Sequence, residues 1–262
     1  MPSRAGPTRP EQRVTVIATL ALATILAWAY VVHLARAPGM SAAMPMDMPM
    51  DMPMPAAGGG AETLLGLFAM WVAMMAGMML PAVLPTILVF MAMARERQRA
   101  GRGTLSVPAF VGGYLAVWIG FSAGAALLQT RLGGALLDLA PGSRPLRLAA
   151  GSVLLLAGAY QWSAFKASCL SHCRSPIGHF AAHWREGTVG AFRMGVDHGL
   201  LCLACCWLLM GLLFVGGVMH PLWVGGLALL VLLEKVLPHG DRVGRVVGAG
   251  LAVWGMVVMV GG

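Results

Sequence analysis

The chain has 262 residues, 58% of them hydrophobic and only 11% charged, and its mean hydropathy is +0.78. Soluble domains carry about 25% charged residues, so the composition excludes a soluble globular fold, and the length leaves no room for a folded soluble domain beside a helical bundle. The net charge of +8 does not point to nucleic acid, because the basic residues flank apolar runs and form no stripe interleaved with aromatics.

A membrane helix needs about 20 mostly apolar residues to cross about 30 Å of hydrocarbon. Runs of that kind cover residues 14–34, 64–91, 107–128, 146–165, 194–215, 218–237 and 243–260. The expectation is an all-α, polytopic transmembrane bundle of about seven spans. Three regions follow: 1–34, a cytoplasmic N-terminus with a signal-anchor helix; 35–62, an outer loop; and 63–262, a six-span membrane domain.

Lys and Arg mark the cytoplasmic side of membrane proteins. Fourteen of the 18 fall on the side of the N-terminus, in clusters around Arg9, Arg97, Lys166, Arg185 and Arg242. The other four, Arg36, Arg131, Arg144 and Arg147, fall opposite. This asymmetry predicts the N-terminus inside and the C-terminus outside, in a bacterial inner (cytoplasmic) membrane. The first run is longer than the roughly 7–15 apolar residues of a cleaved signal peptide, which favours a retained anchor.

The segment that follows it, residues 40–55, holds Met40, Met44, Met46, Met48, Met50, Met52 and Met54, interleaved with Pro45, Pro49, Pro53, Pro55, Asp47 and Asp51. Proline prevents a helix here, and in an extended chain alternate side chains point the same way. Thioethers are soft ligands that select Cu(I), and they keep their ligand form in an oxidising compartment where cysteines form disulfides. A solvated loop has no packing reason to use so many methionines.

The second run continues the theme with Met70, Met74, Met75, Met78 and Met79, followed by Pro81 and Pro85. Met70, Met74 and Met78 share one helical stripe, and Met75 and Met79 start an adjacent one. Pro81 lacks the donor that would bond the carbonyl of Gly77, so a kink is expected there. The plainer reading is that methionine fills an irregular core.

Cys169, His172 and Cys173 form a short cluster on the cytoplasmic side, with His179 and His183 beyond it. The spacing is neither Cys-x-x-Cys nor half of a complete zinc motif, but the thiols are chemically available as ligands. In the fifth run, Met194, His198, Cys202 and Cys205 follow at i, i+4, i+8 and i+11, an arc of about 80° on a helix. Cys206 lies beside them and Asp197 on the other flank. Thioether, imidazole and thiol on one face suit a soft metal, Cu(I) or Ag(I), with Zn(II) also compatible. His33, His220, Glu234 and Lys235 are most simply read as interfacial residues. No nucleotide-binding loop, catalytic triad or zinc-protease motif is present, so an enzymatic role is the less expected alternative.

Residues 70–81 (MWVAMMAGMMLP), 169–176 (CLSHCRSP), 198–210 (HGLLCLACCWLLM) and the Glu234, Lys235 pair resemble the ordered motifs of a bacterial domain-of-unknown-function family described as predicted metal-binding integral membrane proteins. The resemblance covers residues 64–262. It implies metal binding at Met74, Met75, Met78, Met79, Cys169, Cys173, His198, Cys202, Cys205 and Cys206, with Pro81 a shared motif residue. It does not reach the methionine-rich loop.

The leading functional expectation is copper(I) handling: the outer loop captures the ion, the methionine face receives it, and the cysteine clusters hold it. A periplasmic copper carrier and a membrane cuproenzyme complex are the partners this implies, besides lipid and the ion itself. Two other classes remain open at this point. The cysteines could be redox pairs in a thiol or electron-transfer protein, or the chain could be a non-catalytic subunit or assembly factor of a cuproenzyme.

Overall fold

The computed structural model describes residues 10–36, 60–101, 106–136, 143–218 and 220–261. The methionine-rich segment, with Met44, Met46, Met48, Met50, Met52 and Met54, lies outside these residues. The described residues form ten α-helices and no strand. They are α1 (Pro10–Arg36), α2 (Gly60–Arg99), α3 (Val107–Leu136), α4 (Arg144–Tyr160) and α5 (Ala164–Arg174), then α6 (Pro176–Ala182), α7 (Gly187–Gly211), α8 (Leu213–Gly216), α9 (Pro221–Val236) and α10 (Gly240–Val260).

Five segments are long and apolar enough to cross a membrane: Glu11–Arg36, Thr63–Arg99, Val107–Leu132, Gly187–Gly216 and Gly240–Val260. A sixth is available if α4 and α5 count as one span bent by 62°. The expected continuous run at 146–165 is therefore broken. Its helix stops at Tyr160, and Ser163 starts a new one by accepting a hydrogen bond from the Lys166 backbone amide, a standard N-cap that resets the chain direction. The expected run at 218–237 is shortened to the 16 residues of α9, with Pro221 in its first turn and His220 accepting from the Trp223 amide. Sixteen residues reach about 24 Å, short of a full hydrocarbon thickness.

Cross-helix contacts fix the direction of each long helix. At one end of the bundle, Arg95 of α2 bonds Gln12 of α1, and Arg97 pairs with Glu186 just before α7 at 2.7 Å. There too, Arg174 of α5 reaches the carbonyl of Leu237 at 2.6 Å. At the other end, Trp71 of α2 donates to Gln129 of α3 at 2.7 Å, and Trp223 of α9 donates to the Leu212 carbonyl at 2.9 Å. Trp223 also packs against Trp254 of α10 with ring centroids 5.6 Å apart. α1 and α2 are thus antiparallel, as are α2 and α3, and α9 runs opposite to both α7 and α10.

Glycine sets the closest helix packing. A Cβ on Gly113 of α3 would lie 2.0 Å from the Phe192 carbonyl oxygen of α7, and one on Gly195 would lie 2.0 Å from that of Phe110. The two backbones therefore touch, as small residues allow in membrane bundles, and α3 and α7 run parallel. This contact brings Tyr114 of α3 against Cys202 of α7.

The two prolines leave α2 a single 40-residue helix. The Gly77 carbonyl, deprived of its usual donor by Pro81, instead accepts from Trp28 Nε1 of α1 at 3.2 Å. α1 closes a gap that α2 cannot close alone.

Candidate metal centre

The five α2 methionines singled out from the sequence are all in the core. Met70, Met74, Met75, Met78 and Met79 are each no more than 2% exposed. Around them are apolar and aromatic neighbours, including Trp71, whose ring stacks on Phe214 at 5.1 Å. Two polar groups from other helices reach the α2 backbone beside these methionines, Trp28 at the Gly77 carbonyl and Tyr114 at that of Met79.

The cysteines are arranged differently. α5 and α7 pack together, and all five cysteines, Cys169, Cys173, Cys202, Cys205 and Cys206, are buried free thiols. On α7, the Cys205 and Cys206 thiols both donate back to the carbonyl of Cys202, each at 3.0 Å. Cys202 and Cys206 are within hydrogen-bonding range of one another, as are Cys205 and Cys206. Cys173 reaches across from α5 to Cys205. The result is a chain of thiols spanning two helices.

Two further side chains, neither assigned a ligand or site role in the sequence analysis, complete it. Lys235 of α9 places its Nζ 2.7 Å from Cys202 Sγ. Tyr114 of α3 sets its hydroxyl 3.2 Å from the same sulfur and 3.4 Å from the carbonyl oxygen of Met79 on α2. One phenol therefore connects the methionine helix to the thiols.

His198 lies one turn before Cys202 and is 4% exposed. Its ring sits among Phe110, Tyr114 and Phe180, with centroids 6.0–6.5 Å away. His172 is not brought to the thiols. It sits on the exposed side of α5, with Nδ1 2.8 Å from the Ser168 carbonyl. At about 60° round the helix from Cys169 and about 100° from Cys173, it falls at the edge of their face, on the exposed side. Asp197 pairs with Arg185 at 3.4 Å, outside the thiol cluster.

The Glu234, Lys235 pair departs from its interfacial reading. Glu234 is 2% exposed and forms an ion pair with Lys166 at 2.7 Å, itself 3% exposed. Lys166 also bonds Gln161. Adjacent charged residues inside an apolar run were the available signal, since ionisable groups in membrane helices are costly and point to function.

Among the described residues, no three His, Cys, Asp or Glu side chains converge as a ready-made metal centre. The thiols form a chain instead, with those of Cys205 and Cys206 folded onto the carbonyl of Cys202. That donor set fits a soft cation satisfied by a pair of sulfurs better than a tetrahedral Zn(II), which draws four ligands to one point.

A family profile described as a copper chaperone, PpoB2, matches residues 68–258. No curated protein and no solved structure matches the chain. The profile spans α2 through α10 almost entirely and includes every described methionine and cysteine discussed above.

Proposed function

We propose a function from one premise: this chain belongs to the PpoB2 copper-chaperone family. It is an integral protein of the bacterial inner membrane that holds Cu(I) and delivers it to a recipient, without catalysing a reaction of its own. Seven spans, N-in and C-out, are part of this reading. In support, Arg95, Arg97, Arg174 and Arg245 gather at the end of the bundle where α1 begins, as the positive-inside rule requires.

The observation that carries the reading is the buried thiol chain of α5 and α7, approached by a lysine and a tyrosine. Thiolates are the strongest soft ligands a protein offers Cu(I), and neutral thioethers are weaker. Copper captured by Met44–Met54 in the outer region 35–62 would pass along Met70, Met74, Met75, Met78 and Met79 and settle on Cys202, Cys205, Cys206 and Cys173, with Cys169 and His198 at its margins. A periplasmic copper carrier would supply the ion, and a membrane cuproenzyme complex would receive it.

The test is the copper content of the full-length chain, purified in mild detergent and loaded with Cu(I) under reducing conditions. Wild type retains copper, and Cys202→Ala combined with Cys205→Ala lowers retention about tenfold or more, the scale of losses around metal sites. Equal and negligible copper in both would sink the reading. If alkylation with and without reductant instead finds reversible disulfides and no metal, a thiol-redox role replaces it.

A further inference from the structure

We propose that Lys235 is the fixed counter-charge of the thiol site and makes it selective for a monovalent soft cation over a divalent one. This rests on the copper reading above and deepens it.

Three charged side chains lie near the thiols, two of them buried and the third, Lys235, half-buried. Lys166 and Glu234 cancel each other at 2.7 Å, with 3% and 2% of their side-chain surface exposed. Lys235, next in the chain, is left over. None of the ion pairs among the described residues includes it, and its ammonium sits on Cys202 Sγ at 2.7 Å. An uncompensated charge in an apolar interior is strongly unfavourable, so the sum of charges at this place decides what binds.

Four of the five thiols, all among the described residues, form a chain from Cys202 through Cys206 and Cys205 to Cys173, and no three converge on one metal position. The pair nearest Lys235 is Cys202 and Cys206, which lie one turn apart on α7. Bound as thiolates around a monovalent cation, they carry one negative charge, and Lys235 brings the total to zero. The same pair around Zn(II) is neutral, and Lys235 then leaves one positive charge half-buried without a partner. Softness alone does not separate Cu(I) from Zn(II) at cysteine; the ammonium adds a term that does. The Tyr114 hydroxyl, 3.2 Å from Cys202 Sγ, contributes a dipole but no net charge. Lys235 acts through the sulfur it faces, as a positioning and charge-setting residue, and is not itself a ligand.

The experiment loads the reduced full-length protein in detergent with mixtures of Ag(I), a redox-inert monovalent probe, and Zn(II), and reads both metals by elemental analysis. Wild type, Lys235→Met and Lys235→Arg are compared, with Lys235→Gln as a second neutral variant should the methionine variant fail to fold. Wild type and Lys235→Arg should favour Ag(I), and the neutral variants should lower the Ag(I):Zn(II) ratio about tenfold or more, as expected for loss of a buried charge partner. An unchanged ratio in the neutral variants overturns the inference while leaving the copper reading intact. So does an arginine variant that loses the preference as fully as methionine, because charge is then not the cause. A wild type that takes up neither metal overturns the copper reading and this inference with it.

Discussion

α2 and α7 are both rich in buried sulfur, and they use it differently. Met70, Met74, Met75, Met78 and Met79 of α2, none more than 2% exposed, pack among aromatic and aliphatic side chains, and the polar groups that reach this stretch from other helices include two on its backbone, Trp28 on the Gly77 carbonyl and Tyr114 on that of Met79. On α7 the polar groups come to the sulfur itself, an ammonium and a phenol on Cys202 and a thiol from another helix on Cys205. Withdrawing even part of a lysine from water, as at half-buried Lys235, has a free-energy penalty, and burying a methionine has none. Sulfur in a core is therefore ordinary packing until a charged group is carried to it.

The sharpest way to test that contrast is to unbalance the charges beside the thiols. Glu234→Gln leaves Lys166 buried without its partner, and the loss should be about 3–5 kcal/mol, as for other broken buried pairs. Replacing both, Lys166→Met with Glu234→Gln, should restore most of it. Denaturant or thermal unfolding of the detergent-solubilised protein measures both, and a single variant as stable as wild type would mean the pair is solvated.

A smaller effect is expected on α2. Met74→Leu and Met78→Leu are near volume-conserving and should each cost less than about 1.5 kcal/mol, with retained copper close to wild type because the thiols hold it. Copper loss as deep as that of the Cys202, Cys205 double variant, at unchanged stability, would break the comparison and make the methionines ligands of equal rank. The smallest change is Trp28→Phe, which removes one hydrogen bond to Gly77 and should lower stability by about 1 kcal/mol. A shift of the thermal midpoint with no change in copper content is the outcome that fits.

Much of this was legible in the sequence. Apolar runs located the long helices with ends off by up to eight residues, and helical spacing put His198, Cys202 and Cys205 on one face of α7 with Cys206 beside it, all of them buried in the fold. Proline chemistry identified the Gly77 carbonyl as a gap. What periodicity cannot carry is the partner from another helix. Trp28, Tyr114 and Lys235 lie 49, 88 and 33 positions from the atoms they contact, and nothing in their own surroundings announces those contacts. Glu234 and Lys235 were read as interfacial because hydropathy places a residue by depth along one helix and is blind to what lies beside it. The break after Tyr160 escapes hydropathy for a related reason: an apolar run does not show where one helix stops at Gln161 and another starts at the Ser163 cap, which is a local backbone event. Spacing alone does not tell that the His172 ring turns to the Ser168 carbonyl on the exposed side of α5.

α1 is synthesised before α2, so the Trp28 donor is already in place when the Gly77 carbonyl arrives. Pro81 can then sit mid-helix without leaving a bare acceptor in an apolar setting, because the missing amide is supplied by an indole from the preceding helix. In that sense α1 is a replacement part for the backbone of α2, and the order of synthesis becomes an order of repair. A chain severed between the two helices would lose more than a tether: the helix that carries the methionines would emerge with an unmet acceptor at its proline.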